Sequence, residues 1–211
     1  MSRSEPTPVR LTTGPRTAAA IREAAADLFY QHSYEATTLR QVAARVGITV
    51  GSLYNHISGK QALLASLMLS IMEDLLAAQE HAITGRSTSL DRLGAGLDCH
   101  IRFHAERARD VFIGNSELRA LEPEDRDKIV SSRDVYEQTL RRLIAEACQD
   151  AGVKVLDLRL QTYAVLAAGI HVSSWYRAEG PLELDEIVQI YTVILLRQLG
   201  ITPPAGTDAA R

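Results

Sequence analysis

Polar side chains suited to reading nucleic-acid bases are concentrated between residues 40 and 55. Arg40 has the donors to pair with guanine edges in a major groove, and Asn55 can pair with adenine edges. Thr49 and Val50 can offer methyl groups to thymine. Gly51 would let the backbone approach a partner closely. The residues expected to read bases are Arg40, Thr49, Val50, Ser52 and Asn55.

A second pair of side chains has the spacing of metal ligands. His100 and His104 lie at i and i+4, so two imidazoles on one helix face could share an ion. No carboxylate-flanked metal motif surrounds them, and histidines on an apolar stripe are more often packed or pocket-lining residues. We therefore expect no metal site here.

The base-reading residues must be positioned by two short helices. Leu39, Val42, Ala43 and Val46 fall at i, i+3, i+4 and i+7, which predicts a helix that stops at Gly47. Thr38 followed three residues later by Gln41 predicts a capping box at its start. With Thr49 as the cap of a second helix, the pattern is that of a helix-turn-helix, whose second helix enters the major groove.

The segment from residue 17 to residue 64 resembles the DNA-binding domain of the tetracycline-repressor (TetR) family of bacterial transcription regulators. The resemblance is carried by Thr37-Thr38-Leu39-Arg40, by Gly51-Ser52-Leu53-Tyr54-Asn55-His56-Ile57 and by Lys60. It implies that Tyr54, His56 and Lys60 contact backbone phosphates, with Thr38 as an additional contact. Ile57 stands where the family usually has Phe, which should alter only core packing.

Composition predicts an all-α protein. Apolar residues make up 46% of the 211 residues and aromatic residues only 5%, while hairpin signals between alternating runs are missing.

The net charge is −3, but residues 1–60 carry about +3 and the rest about −6, so DNA should meet only the first part. Cys99 and Cys148 lack metal spacing. The absence of a signal sequence and of a long apolar run predicts a cytoplasmic protein without a membrane segment.

Four regions are predicted along the chain. Residues 1–16 form a mobile arm, residues 17–63 a helix-turn-helix domain, residues 64–200 a ligand-binding and dimerisation domain, and residues 201–211 a tail. The first helix is expected from about Thr17 to His32, and about nine helices are expected in all.

The second domain combines bulky apolar with polar side chains, a mixture that suits a ligand cavity and equally suits an ordinary core. Its sequence around residues 102–119 and 174–182 is similar to TetR-like repressors that sense acyl-coenzyme A thioesters, which implies an effector of that type. The arginines available for a coenzyme A moiety are Arg102, Arg107, Arg119, Arg141 and Arg177. The expected pocket residues are His100, Phe103, His104, Phe112, Asn115, Tyr136, Tyr163, His171 and Trp175.

The last two helices are expected to carry a homodimer interface. Residues 184–199 are apolar around most of the helix circumference, so one chain would leave part of that surface uncovered. Pairing with a second copy into a four-helix bundle would bury it, and two-fold symmetry suits a palindromic operator. A fully internal final helix is the alternative. The expected interface residues are Tyr163, Ala167, Ile170, Ile187, Ile190, Tyr191 and Ile194.

These patterns predict a dimeric, ligand-responsive repressor that a small apolar or acyl-CoA-type effector releases from double-stranded operator DNA. A regulator that responds to metal through His100 and His104, or to another small molecule, is the alternative. An enzyme is disfavoured, because the sequence has no Gly-x-Ser-x-Gly, glycine-rich phosphate loop or recognisable carboxylate pair. No cofactor is expected.

Overall fold

The computed structural model describes residues 14–202, and within that range the chain forms nine α-helices and one short 3₁₀ turn, with no β-strand. The all-α prediction is confirmed. The helices are α1 (Pro15–Ala36), α2 (Leu39–Val46), α3 (Val50–Tyr54), α4 (Lys60–Ile83), α5 (Ser89–Glu106), α6 (Ala108–Ser116), α7 (Pro123–Asp150), α8 (Leu158–Trp175) and α9 (Leu184–Gln198), and the 3₁₀ turn is Leu118–Ala120.

The chain divides into two compact units. The first contains Met1–Ser70 and Phe112–Asp127, and the second contains Ile71–Val111 and Lys128–Arg211. Residues 112–127 were expected in the second domain, but they pack with α1: the rings of Phe112 and Tyr30 meet edge to face, 5.2 Å apart. A contact over 80 residues of sequence leaves no local pattern from which it could be predicted.

In the first unit, α1 packs against α2 and α2 against α3. The core consists of apolar side chains from these helices and the start of α4, including Ile21, Phe29, Val42 and Leu53, each at most 1% exposed. α1 is interrupted at Ser33, which has a φ of 68°. The expected end of the first helix near His32 therefore agrees with the structure, although the helix begins at Pro15 rather than Thr17.

In the second unit, α5 packs against both α8 and α9. Its core combines Leu97 and Ile101 of α5, Leu140 of α7 and Val165 of α8. The acidic residues Glu124 and Asp125 lie in the first turn of α7, where negative charge suits the positive helix end.

The two chain ends differ in part from the prediction. Residues 1–13 of the expected arm and residues 203–211 of the expected tail lie outside the described residues. Arg16 belongs to α1 rather than to an arm. Ile201 is buried in the core of the second unit, and its N–H donates to the Leu196 carbonyl at 2.9 Å, so the tail begins later than expected.

α4 is long and apolar enough, by length and composition, to cross a membrane. The sequence pattern predicted no such run, and that prediction was wrong. However, 44% of its apolar window is buried inside the protein, including Leu64, Met68 and Leu75. Such burial is typical of a core helix, so length and composition are weak evidence for a membrane span.

Candidate nucleic-acid interface

The two helices that carry the polar residues are capped as the sequence predicts. The Thr38 side chain accepts the Gln41 N–H at 3.3 Å, and the Gln41 side chain accepts the Thr38 N–H at 2.7 Å, which completes a capping box. Gly47 ends α2 with a left-handed φ of 78°. Thr49 caps α3 by accepting the Ser52 N–H at 3.1 Å. These local bonds fix the turn.

The helix-turn-helix has one buried and one open face. Val42, Ala43 and Leu53 point into the core and are at most 1% exposed. The expected DNA contacts lie mainly on the outside. Among them, the expected phosphate contact Tyr54 is 55% exposed. The exposed members of the predicted set are Thr38, Arg40, Thr49, Val50, Gly51, Tyr54 and Asn55, while Ser52, His56 and Lys60 are half-buried. Each member of the predicted set is therefore at least partly accessible in the first unit.

Two of the expected phosphate contacts already have partners. Lys60 donates from Nζ to the Glu35 carbonyl at 3.1 Å and lies 4.2 Å from the centre of the Tyr34 ring. An ammonium has three donors, so others remain for a phosphate. The Thr38 hydroxyl donates to Gln41 Oε1 at 2.8 Å. Because a hydroxyl has one proton, Thr38 could donate to a phosphate only by giving up that bond.

Gly51 is not required by the fold. Its φ is ordinary, and an added Cβ would meet only Thr49 Oγ1, at 3.9 Å. A glycine at the second position of a helix lowers helix stability relative to alanine. The residue is therefore better explained by close approach of something outside the chain than by packing within it.

His100 and His104 form a buried hydrogen-bonded cluster with Tyr136 in the second unit. The Leu166 carbonyl lies 3.1 Å from His100 Nε2 and can only accept, so this nitrogen carries the proton. His100 Nδ1 then accepts from the Tyr136 hydroxyl at 2.7 Å. His104 donates from Nδ1 to the His100 carbonyl at 2.7 Å, and the two imidazole centres are 4.4 Å apart.

The cluster is held in its neutral form by burial. Burial and the neighbouring His104 lower the pKa of His100 to about 3, and burial lowers the pKa of His104 to about 4. Burial also raises the pKa of Tyr136 well above its usual value. Both ring nitrogens of His100 are occupied, so it has no lone pair left for a metal. Among the described residues, no group of three or more His, Cys, Asp or Glu could hold an ion.

The expected pocket residues are only partly brought together. Phe103, His104, His100 and Tyr136 are neighbours, but His100 is 0% exposed, so it does not line a space that admits water. Its ring nitrogens are hydrogen-bonded inside the core, and its place in an effector pocket stays a prediction. Phe112 and Asn115 belong to the first unit, and Tyr163, His171 and Trp175 are among the exposed residues of α8.

Three of the five arginines considered for an anionic effector pair with carboxylates, whereas Arg177 donates to the backbone carbonyls of Tyr176 and Ser174 and Arg119 is exposed. Arg102 pairs with Asp98 at 2.8 Å and with Asp185 at 2.6 Å. Arg107 pairs with Asp74 and Asp110, both at 2.7 Å. Arg141 pairs with Glu137. A phosphate group would have to compete with these carboxylates.

The expected interface residues are mainly surface residues of α8 and α9. Tyr163, Ala167 and Ile194 are exposed, and Ile194 is 51% exposed. Ile170, Ile190 and Tyr191 are half-buried. Ile187 differs, because it lies in the core at 3% exposed. The apolar circumference of α9 is divided between the core and the surface, and a place for Ile187 in the interface stays a prediction.

Sequence reasoning missed two residues that shape these sites. Glu117 accepts the Tyr34 N–H at 3.3 Å, and Gly169 makes room for His100. An added Cβ at Gly169 would lie 2.1 Å from His100 Cδ2. The only local signal was a glycine inside an apolar helix, which indicates close packing but does not identify the neighbour.

A helical protein with a capped helix-turn-helix and an open polar face belongs to the class of DNA-binding regulators. The comparison with known families identifies the class more closely. Residues 21–67 match the family described as "Bacterial regulatory proteins, tetR family", and residues 86–199 match "Tetracyclin repressor-like, C-terminal domain". The chain belongs to the TetR family of transcription regulators, as the residues around Tyr54 predicted.

Two curated relatives are similar over most of the chain. The HTH-type transcriptional repressor KstR2 of Mycobacterium tuberculosis (strain ATCC 25618 / H37Rv) is 27% identical over 180 residues, covering 82% of this chain and 88% of the relative. The fatty acid metabolism regulator protein of Bacillus subtilis (strain 168) is 25% identical over 141 residues, covering 66% and 73%.

Solved structures share the fold. A bacterial regulatory protein of the tetR family from Rhodococcus RHA1 superposes with a TM-score of 0.82 at 28% identity, covering 90% of this chain and all of the other. AibR in complex with isovaleryl coenzyme A and operator DNA gives a TM-score of 0.76 at 23% identity, covering 84% and 97%.

Proposed function

We propose that the protein is a homodimeric transcriptional repressor that binds a palindromic operator and releases it when a small apolar or acyl-CoA-type effector binds. Such a protein works in the cytoplasm, where its DNA is. The observation that carries the proposal is the open face of α2 and α3. There Arg40, Thr49 and Asn55 are exposed on helices that are fixed by their own caps.

The chemistry of each side chain on this face decides whether it contacts bases or phosphates. Arg40 and Asn55 read base edges, because guanidinium and amide groups can form paired hydrogen bonds with guanine and adenine. Tyr54, His56 and Lys60 hold phosphates and set the register. Base contacts then control the sequence preference, whereas phosphate contacts control affinity for every duplex.

A second copy of the chain is proposed to pack against the exposed apolar residues of α8 and α9. Leu160, Tyr163 and Ile194 are large apolar residues exposed at 64%, 38% and 51%, on two neighbouring helices of the second unit. Burying such side chains favours association by about 25 cal/mol per Å² of apolar area. Two-fold symmetry would present two α3 helices to the half-sites of an inverted repeat.

The effector class is inferred from the second unit and from the relatives. KstR2 is named a repressor, the B. subtilis relative is named a fatty acid metabolism regulator, and AibR has been crystallised with an acyl-coenzyme A. An apolar acyl portion is proposed as the main source of affinity, because Arg102, Arg107 and Arg141 are already paired with carboxylates. The metal-responsive alternative is not favoured, because His100 has no nitrogen available.

The test of DNA binding begins with selection of duplexes from a random pool, in which an inverted repeat is expected. Tyr54→Phe should then weaken binding to all sequences by a similar factor, because it removes a phosphate contact. Asn55→Ala should mainly reduce discrimination at one base position, by about 1 to 3 kcal/mol. An unchanged sequence preference in Asn55→Ala would remove this residue from the base-reading set.

The test of assembly is sedimentation of the free protein at micromolar concentration. The wild-type chain should sediment as a dimer, and Ile194→Glu should shift it to monomer because a charge would be buried without a partner. Arg197→Glu, an exposed position on the same helix, is the control for added charge on α9. A monomeric wild-type chain would contradict the dimer.

The effector class is tested by native mass spectrometry of the purified protein, followed by release of DNA with acyl-CoA thioesters and with the matching free fatty acids. An acyl-CoA sensor should lose DNA on addition of the thioester at micromolar concentration. Zinc and nickel serve as the comparison, with His104→Ala as the matched variant. Release by metal that is lost in His104→Ala would support the alternative effector instead.

A further inference from the structure

We call residues 33–38, which run from the break inside α1 to the start of α2, the connector; it begins at a strained residue. Ser33 has φ 68° and ψ 161°, a conformation that is essentially restricted to glycine. In a continuous helix, the N–H of residue 34 would bond to the carbonyl of residue 30. After the break, the Tyr34 N–H is donated to Glu117 Oε1 at 3.3 Å. Glu117 therefore supplies an acceptor to the residue that follows the break.

Tyr34, whose N–H is bonded to Glu117, connects the break in α1 to the start of α2. The Tyr34 side chain is 5% exposed, and its ring meets Phe29 edge to face with the centroids 5.3 Å apart. Its carbonyl accepts the Thr37 N–H at 3.2 Å, directly before the Thr38 capping box. A shift of Tyr34 would therefore move the start of α2.

Tyr34 also sets the position of a proposed phosphate contact. The Lys60 ammonium lies 4.2 Å from the centre of the Tyr34 ring and donates to the carbonyl of the next residue, Glu35. Both contacts are formed by the connector, and a cation over an aromatic face is held electrostatically. The connector thus fixes Lys60 on the open side of the first unit.

Two further contacts attach the same part of the chain to the first unit. Phe112 packs edge to face against Tyr30 of α1, and the Gln61 side chain of α4 donates to the Ala120 carbonyl. Residues 112–121 are thus attached at three points, although they lie far in sequence from the helix-turn-helix.

We propose that Glu117 is a positioning residue for DNA binding, which acts through Tyr34 to hold Lys60 at a phosphate of the operator. The inference rests on the proposed function, because it concerns the same DNA-binding face. It also extends that face to a residue 50 positions beyond the segment that matches the family's N-terminal domain. The carboxylate serves as a hydrogen-bond acceptor in this role, so its charge is not essential.

The experiment measures DNA affinity over a series of salt concentrations for full-length variants. Glu117→Ala should weaken binding about tenfold, which corresponds to the loss of one intramolecular hydrogen bond. It should also lower the slope of log K against log salt by about 0.9, the value of one phosphate contact. The sequence preference should not change, because no base-reading residue is touched.

Three matched variants separate the hydrogen bond from other effects. Glu117→Gln removes the same charge but keeps an acceptor, so it should bind like the wild type. Glu122→Ala removes a nearby charge that does not bond to Tyr34 and should not weaken binding. Ser33→Gly combined with Glu117→Ala should recover affinity, because glycine adopts the connector conformation without strain. Equal losses in Glu117→Ala and Glu117→Gln, or an unchanged salt slope in Glu117→Ala, would overturn the proposal.

A second measurement does not depend on DNA. Hydrogen exchange at the Tyr34 amide should be faster in Glu117→Ala than in the wild type and unchanged in Glu117→Gln. If the wild type binds no duplex but this exchange pattern holds, the proposed function fails while the connector contact stands. If exchange is the same in all variants, Glu117 does not hold Tyr34, whatever the DNA result.

Discussion

The helix-turn-helix of the first unit and the histidine cluster of the second are both sets of polar side chains on short helical spacings, yet they are used in opposite ways. Arg40, Tyr54 and Asn55 are exposed. His100 and Tyr136 are buried, and they bond to one another at 2.7 Å. The first set is open to an outside partner, whereas the second completes its own hydrogen bonds.

The contrast extends to the glycines of the two regions. Gly51 has space for a Cβ, with one neighbour at 3.9 Å, whereas a Cβ at Gly169 would lie 2.4 Å from His100 Nε2. Packing explains a glycine that leaves no room for a Cβ, whereas it does not explain a helical glycine that leaves room for one. Spacing alone does not separate the two cases; burial and satisfied hydrogen bonds do.

The largest expected effect tests the packed glycine. Gly169→Ala should lower the free energy of unfolding by about 3 kcal/mol, because the methyl group must displace His100 and break its bond to Leu166. Urea unfolding of the dimer or monomer at fixed concentration measures the loss. Gly94→Ala on α5, where an added Cβ meets nothing within 4 Å, is the matched control and should not destabilise. Equal stability of the two variants would remove the proposed difference between the glycines.

The next effect concerns the neutral histidines. The folded-state pKa of His104, about 4, lies below its unfolded value of about 6.5, so its contribution is fully present above pH 6.5 and is lost as the pH falls toward 4. Between pH 6.5 and 4.5, each buried histidine should lower the free energy of unfolding by about 2 kcal/mol. His104→Gln should make this pH dependence shallower by that amount.

The control for this prediction is His81→Gln, because His81 is exposed on α4 in the same unit. Free energies of unfolding are compared at several pH values, and only the slope is used, since either variant could change the overall stability. A slope in His104→Gln identical to that of the wild type would mean that the cluster is open to water rather than closed.

The smallest expected effect on stability concerns Gly51, the glycine with room for a Cβ. Gly51→Ala should raise the free energy of unfolding by about 0.5 kcal/mol, because alanine loses less backbone entropy in a helix. The same variant should weaken DNA binding, because the added methyl group keeps α3 away from the duplex. Thermal unfolding and fluorescence anisotropy are measured on the same samples. A more stable variant with unchanged DNA affinity would show that no close approach occurs at this position.

The regular elements could be predicted because their signals are local. The capping box of Thr38 and Gln41, the left-handed Gly47 and the start of α7 at Pro123 each depend on residues within four positions of one another. The open polar face of α2 and α3 followed from the same local rules. The burial of His100 and Ile187 could not be predicted, because a helix with apolar residues on several sides does not reveal which side faces the core.

The sequence by itself determined the helical class, the two capped helices and the chemistry available on their outer face, because periodicity and capping act within one or two turns. Only the tertiary structure decided that His100 is a core residue, that Gly169 accommodates its ring, and that Glu117 bonds to Tyr34. The physical reason is that burial and hydrogen-bond partners depend on side chains that meet across 36 to 83 positions of sequence.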